Sequence, residues 1–92
     1  MEQPSEKHSI SSAISLAISR ARQQRGWTQE QCSLRASMSR SHLAMIETGR
    51  KVPNLATICK LADAFGIQPH DLVQQIEEAL KETEQSAEVA GQ

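Results

Sequence analysis

Aromatic side chains are almost missing from this 92-residue chain: Trp27 and Phe65 are the whole complement, 2% of residues, and there is no tyrosine. A stacking platform for single-stranded nucleic acid, which needs several exposed rings, is therefore not expected. Cysteine is scarce as well. Cys32 and Cys59 cannot build a disulfide scaffold, and neither sits in a metal-ligand spacing such as CxxC. No apolar run approaches the roughly 20 residues of a membrane span, and Met1 to Ser12 contains no continuous apolar segment of the secretory kind. A cytoplasmic protein with reduced thiols and no membrane partner is the expectation. Net charge is nearly absent too, ten basic residues facing eleven acidic ones for a formal charge of −1. A nucleic-acid binder is usually strongly basic, so the total by itself argues against that class. At this length one small domain is expected.

The small total hides an uneven distribution. Residues 20–60 carry Arg20, Arg22, Arg25, Arg35, Arg40, Arg50, Lys51 and Lys60 against only Glu30 and Glu47, a balance of +6. Residues 61–92 carry Lys81 against Asp63, Asp71, Glu77, Glu78, Glu82, Glu84 and Glu88, a balance of −6. Opposite blocks of this kind point to a basic binding face and an acidic end kept away from it, or to two ordinary solvated surfaces.

Every periodic segment has a helical period. Ile10, Ala13, Ile14, Ala17, Ile18 and Ala21 form one stripe, with Ser11, Ser12, Ser15 and Ser19 on the opposite side, and Gly26 ends that helix. Thr28-Gln29-Glu30-Gln31 fits a capping box for a second helix, about Gln29 to Ala36, with Cys32 and Ala36 inward. Ser39 caps a third, about Arg40 to Glu47, that buries Leu43 and Ile46 and stops at Gly49. Asn54 caps a fourth with Leu55, Ile58, Leu61, Ala62 and Phe65 inward, and Cys59 is expected on its apolar side as an inert buried thiol, like Cys32. Pro69 opens a fifth, with Leu72, Val73, Ile76, Ala79 and Leu80 on one stripe. The fold class is all-α with five helices. The domain reading is a flexible leader at 1–8, a domain at 9–83 with an extended fifth helix, and a flexible tail at 84–92.

Two short helices joined by Ser37-Met38-Ser39 make a helix-turn-helix, or else an ordinary helical corner. At this point the chain resembles the Cro and phage-repressor helix-turn-helix domains, the xenobiotic-response-element type. The residues that carry the likeness are Arg22, Gly26, Thr28-Gln29-Glu30, Ala36, Ser39, Leu43, Ile46-Glu47, Gly49, Pro53, Leu55, Ile58, Leu61-Ala62, Phe65-Gly66-Ile67, Pro69 and Asp71-Leu72. Ala21, Cys32 and Ser33 depart from the family's usual leucine, leucine and alanine, which suggests a looser core near the first two helices. The resemblance implies the five-helix lambda-repressor-like fold, with its helix-turn-helix in helices 2 and 3, and binding to double-stranded operator DNA.

Carried over position by position, the resemblance puts base reading on Arg40, Ser41, Ala44 and Met45. Helical spacing agrees on the face, because Leu43 and Ile46 point inward and Arg40, Ser41 and Ala44 therefore point out. A guanidinium can bind guanine O6 and N7 together, and such a contact is worth about 1–3 kcal/mol of discrimination, so Arg40 is the foremost candidate for readout. Met45 fits either a thymine methyl or the core. Thr28, Gln29, Ser39, His42, Arg50 and Lys51 are candidates for phosphate contacts. In the family the positions of Arg22 and Glu47 form an ion pair that holds the recognition helix, and the equivalent of Gln29 braces the first recognition residue.

No enzyme site emerges. His8, His42 and His70 lack metal-ligand spacing, no glycine loop cradles a phosphate, and no cofactor or metal is expected. A single recognition helix reads few base pairs, so a homodimer on two half-sites about 34 Å apart is expected. The stripe of the fifth helix outlasts the family's core at Ile76, so Ile76, Ala79 and Leu80 are candidate dimer contacts, unless the stripe folds back on the first helix. A different function class stays open from the residues alone: an antitoxin-type interaction module whose main partner is a small toxin protein, with DNA binding secondary.

Overall fold

The computed structural model of the protein describes the backbone of residues 4–90 and the side-chain surroundings of residues 10–84. The expectations for residues 1–3 and 91–92 lie outside the described residues. Five helices follow one another: α1 (Pro4–Gln24), α2 (Gln29–Arg35), α3 (Arg40–Glu47), α4 (Leu55–Phe65) and α5 (Pro69–Ala90). No strand occurs among the described residues.

Both outer helices are longer than the stripes that announce them. Helix α1 already begins at Pro4, inside the segment assigned to a leader, because proline is suited to a first helical turn where no backbone donor is needed. Helix α5 runs on to Ala90, through the segment assigned to a tail. The run Gln85 to Ala90, Gln-Ser-Ala-Glu-Val-Ala, holds no glycine or proline, so nothing in it stops the helix.

The core is one cluster: Ile14, Ile18 and Ala21 of α1, Cys32 and Ala36 of α2, Leu43 and Ile46 of α3, Ile58, Leu61, Ala62 and Phe65 of α4, and Leu72 of α5. Helix α5 lies along α1. Ala79 is 1% exposed within the single chain, and Ile76 and Leu80 are half-buried. Ala79 is thus closed to a second copy, which corrects its place among the candidate dimer contacts and fits the folding-back alternative, while Ile76 and Leu80 keep part of their surface open. Arg20 adds two bonds of 3.0 Å to the Glu82 carboxylate across the same pair of helices, and the contact holds that carboxyl below its ordinary pKa.

Four inward assignments are also corrected. Leu55 is 69% exposed, and Val73, Ile10 and Cys59 are exposed as well. Val73 and Cys59 each follow an inward residue, Leu72 and Ile58, and one residue turns a side chain about 100° around the helix. Leu55 and Ile10 stand in outer turns, ahead of the layer that the other helices cover.

Helix α2 ends with Ser37 N–H bonded to Leu34 O at 3.2 Å and Met38 N–H bonded to Ser33 O at 2.9 Å, a paired closure that requires a left-handed residue between them. That residue is Ser37, at φ 55, the one non-glycine with positive φ among the described residues. The left-handed conformation costs an L-residue roughly 1–2 kcal/mol, and glycine's extra freedom in the unfolded chain returns about 0.5–1 of it. Ser37→Gly is therefore expected to stabilise the domain by about 0.5–1 kcal/mol, read from the urea midpoint at an unchanged m-value; a lower midpoint would contradict it.

Candidate nucleic-acid interface

The helix-turn-helix is assembled by its caps. Thr28 Oγ1 accepts from Gln31 N–H at 3.1 Å while Gln31 Oε1 accepts from Thr28 N–H at 2.9 Å, which fixes where α2 starts. Ser39 Oγ accepts from His42 N–H at 3.0 Å and starts α3. Between these two starts, Ser37 turns the chain so that Leu43 and Ile46 enter the core with no exposure. The opposite side of α3 is left open. Arg40 and Ser41 are exposed in its first turn, Ala44 is half-buried, and Met45, which fits either side by sequence, is turned outward at 38% exposure.

Ala44, Met45 and Arg50 line one shallow open cleft together with Thr48. Thr48 was not among the sequence candidates, yet 41, 44, 45 and 48 follow i, i+3, i+4, i+7, the outward counterpart of the Leu43 and Ile46 stripe. Its hydroxyl bonds back to Met45 O at 3.1 Å and caps the helix. Arg50 and Lys51 are exposed just beyond, where their amides bond Met45 O at 2.9 and 3.2 Å and hold the loop against the end of α3.

The back of α3 is gripped at its C-terminal end. Arg22 Nε and Nη2 donate to the two carboxylate oxygens of Glu47 at 2.8 and 3.0 Å, and Arg22 Nη1 donates to Trp27 O at 2.7 Å. The Glu47 side chain is 5% exposed and the Arg22 side chain 14%, so the pair is largely dry. The hydrogen bond to Glu47 pushes the Arg22 guanidinium further up from its ordinary pKa, so its charge is permanent. Gln29 Nε2 donates to Glu47 Oε1 at 3.1 Å. This side chain is expected at a phosphate and at the first recognition residue; here it is joined to the ion pair, with one amide hydrogen left over.

Two serines complete the grip. Ser11 Oγ donates to Gly49 O at 3.0 Å and Ser15 Oγ donates to Ile46 O at 2.8 Å. Both belong to the serine side of α1, opposite its apolar stripe, and the sequence assigns them no partner. The physical reason for the contact is the unpaired carbonyls at the end of α3, which need donors. Gly49 itself sits at φ 79, a left-handed residue that lets the chain leave α3 directly over those hydroxyls.

The two aromatic rings form part of the same support. Trp27 and Phe65 stack at 6.0 Å between ring centroids, with the Arg35 guanidinium 4.5 Å over Trp27 and that of Arg25 4.9 Å over Phe65. This column joins the start of α2 to the end of α4. Cys32, beside it in the core, has its thiol pushed up by burial and stays protonated at neutral pH.

The electrostatic outcome follows from one placement. Of the two acidic residues in 20–60, Glu47 is turned inward and neutralised by Arg22, so Arg40, Arg50 and Lys51 present positive charge with no carboxylate from α3 beside them. No helix among the described residues is long and apolar enough to cross a membrane.

Comparison with known proteins places this geometry. The helix-turn-helix family model HTH_3 matches residues 18–72. An uncharacterized HTH-type transcriptional regulator of Sinorhizobium fredii, y4dJ, is 36% identical over 56 residues, which is 61% of this chain and 73% of that protein. The immunity repressor protein of Bacillus phage phi105 is 42% identical over 69 residues, 75% of this chain and 46% of the repressor, so the chain spans about half of that relative. Among solved structures, the clp gene regulator ClgR of Corynebacterium glutamicum superposes with a TM-score of 0.80 at 18% identity, over 88% of this chain and 86% of its own. An HTH_3 family transcriptional regulator of Vibrio cholerae does so at 0.68 and 23% identity, over 72% of this chain and 37% of its own. The two structures bear on the fold.

Proposed function

The chain belongs to the HTH_3 helix-turn-helix family, and from that membership we propose that it is a transcriptional regulator that binds double-stranded operator DNA sequence-specifically, two copies occupying two half-sites. The observation that carries this reading is the open face of α3: Arg40, Ser41, Ala44 and Met45 stand outward, Arg50 and Lys51 flank them, and the only acid of the helix is withdrawn. An exposed helix face of this composition fits a major groove, with Arg40 reading a guanine and Ala44 and Met45 against thymine methyl groups.

Phosphate contacts would position that helix. Arg50 and Lys51 supply charge. Thr28 and Ser39 accept their capping bonds and keep their own O–H for donation, Gln29 keeps one amide hydrogen, and His42 is half-buried in the first turn of α3. The exposed carboxylates of α5, Glu77, Glu78, Glu82 and Glu84, would be repelled by a duplex, which restricts the approach to the α3 side.

The test is selection from a random duplex library. The reading expects enrichment of an inverted repeat whose half-sites are centred about 34 Å apart. Recovery of sequences no different from the starting library would overturn it.

A further inference from the structure

The peptide unit between Gly49 and Arg50 is fastened on both of its sides. Its N–H, carried by Arg50, donates to Met45 O at 2.9 Å, inside the turn that closes α3. Its C=O, carried by Gly49, accepts from Ser11 Oγ at 3.0 Å, a donor 38 residues earlier in the chain. A peptide unit is planar, so two bonds on opposite sides fix the direction in which the chain enters the next residue. That residue is Arg50, exposed, on the same cleft as Ala44, Met45 and Thr48. Resting on the DNA-regulator reading above, we propose that Ser11 is a positioning residue for DNA binding: its hydroxyl orients the Gly49–Arg50 peptide and so sets where Arg50 meets a phosphate.

Glycine has the widest choice of backbone angles, so at Gly49, with φ 79, this peptide would swing once a bond on either side were lost. The bond on the Met45 side is divided, because Met45 O also accepts from Lys51 N–H at 3.2 Å and from Thr48 Oγ1 at 3.1 Å. Ser11 is the sole partner of Gly49 O among the described residues. Ser15 stands in a different position. Its acceptor, Ile46 O, also takes Gly49 N–H at 3.1 Å, so that carbonyl stays satisfied when the Ser15 hydroxyl is removed. A Cβ on Gly49 would lie 3.6 Å from Ser11 Oγ and 3.5 Å from Ser15 Oγ, so both hydroxyls are seated directly against this residue. The family match covers residues 18–72, and Ser11 lies ahead of it, so the hold on the basic loop is made from outside the matched unit.

The experiment uses the full chain and the library-selected duplex, titrated over a salt series. Ser11→Ala removes the hydroxyl and leaves α1 intact, since alanine is the better helix former. It is expected to weaken binding about three- to tenfold, the worth of one hydrogen bond. The slope of log affinity against log salt should fall by up to about one, a single phosphate contact, with the preference among single-base operator variants unchanged. Ser11→Thr, which keeps a hydroxyl, is expected to bind like the wild type. Arg50→Ala should lose the same slope, and adding Ser11→Ala to it should cost nothing further, because the two residues act on one contact. Ser15→Ala is expected to lower the urea midpoint and keep the full slope. The proposal is overturned, with the DNA reading left standing, by any of four results: a full slope in Ser11→Ala, additive losses in the double variant, Ser11→Thr binding as weakly as Ser11→Ala, or an equal fall of slope in Ser15→Ala. Failure of the wild type to bind the duplex overturns both.

Discussion

Arg22→Ala is expected to destabilise the domain by about 3–5 kcal/mol, because it leaves the Glu47 carboxylate nearly buried with only Gln29 as a hydrogen-bond partner. The loss includes the bond to Trp27 O, which anchors the turn before α2. Domains of this size are stable by only about 5–15 kcal/mol, so the variant should melt at a far lower temperature. Removing the charge together with its partner is a different experiment. A double variant, Arg22→Met with Glu47→Leu, should regain most of the stability, since the cost of a stranded charge exceeds the worth of the pair. It should still bind DNA less well, since Gln29 then loses the acceptor that holds it against the end of α3. Denaturation of the single and double variants, followed by titration with the selected duplex, measures both effects. Equal stability of the wild type and Arg22→Ala would show that the pair is solvated in solution and has no holding role.

Arg40→Ala and Lys51→Ala are expected to weaken binding in distinguishable ways. Loss of a bidentate guanine contact costs about 1–3 kcal/mol, roughly 5- to 150-fold, at one base position and little at the others. Arg40→Ala should therefore relax the preference at a single position of each half-site. A phosphate contact carries no sequence information, so Lys51→Ala should weaken all duplexes alike and reduce the slope of log affinity against log salt by about one. A panel of single-base operator variants titrated over a salt series separates the two. An Arg40→Ala profile parallel to the wild type at every position would move Arg40 from base reading to backbone contact.

Much of the architecture is legible from local chemistry. Thr28, Ser39 and Asn54 each offer a hydroxyl or amide oxygen just ahead of an apolar period, and all three cap the helices they announce. Gly26, Gly49 and Gly66 each mark a left-handed exit. The family's ion pair is present at Arg22 and Glu47. What eluded the sequence has a common cause, since composition states what a side chain is and leaves open what comes to meet it. Ser11 and Ser15 stand opposite the apolar stripe with no partner in the local pattern, yet they bond the carbonyls that end α3. Cys59, Leu55 and Val73 look like core because they are apolar, yet one step of rotation or one turn of position leaves them outside. Column members Arg25 and Phe65 lie 40 residues apart, and no local pattern joins them.

The column of stacked side chains also equips the protein with an internal optical gauge. Trp27 is the sole tryptophan, so all indole emission comes from one place, with the Arg35 guanidinium over its ring and the Phe65 ring stacked beside it. Its colour and intensity therefore register the seating of α2 against α4. Helical ellipticity, dominated by the long α1 and α5, registers a different part of the molecule. If the two signals change together on heating, the recognition unit and the long helical pair melt as a single body; if the fluorescence moves first, the reading head loosens while its frame still stands.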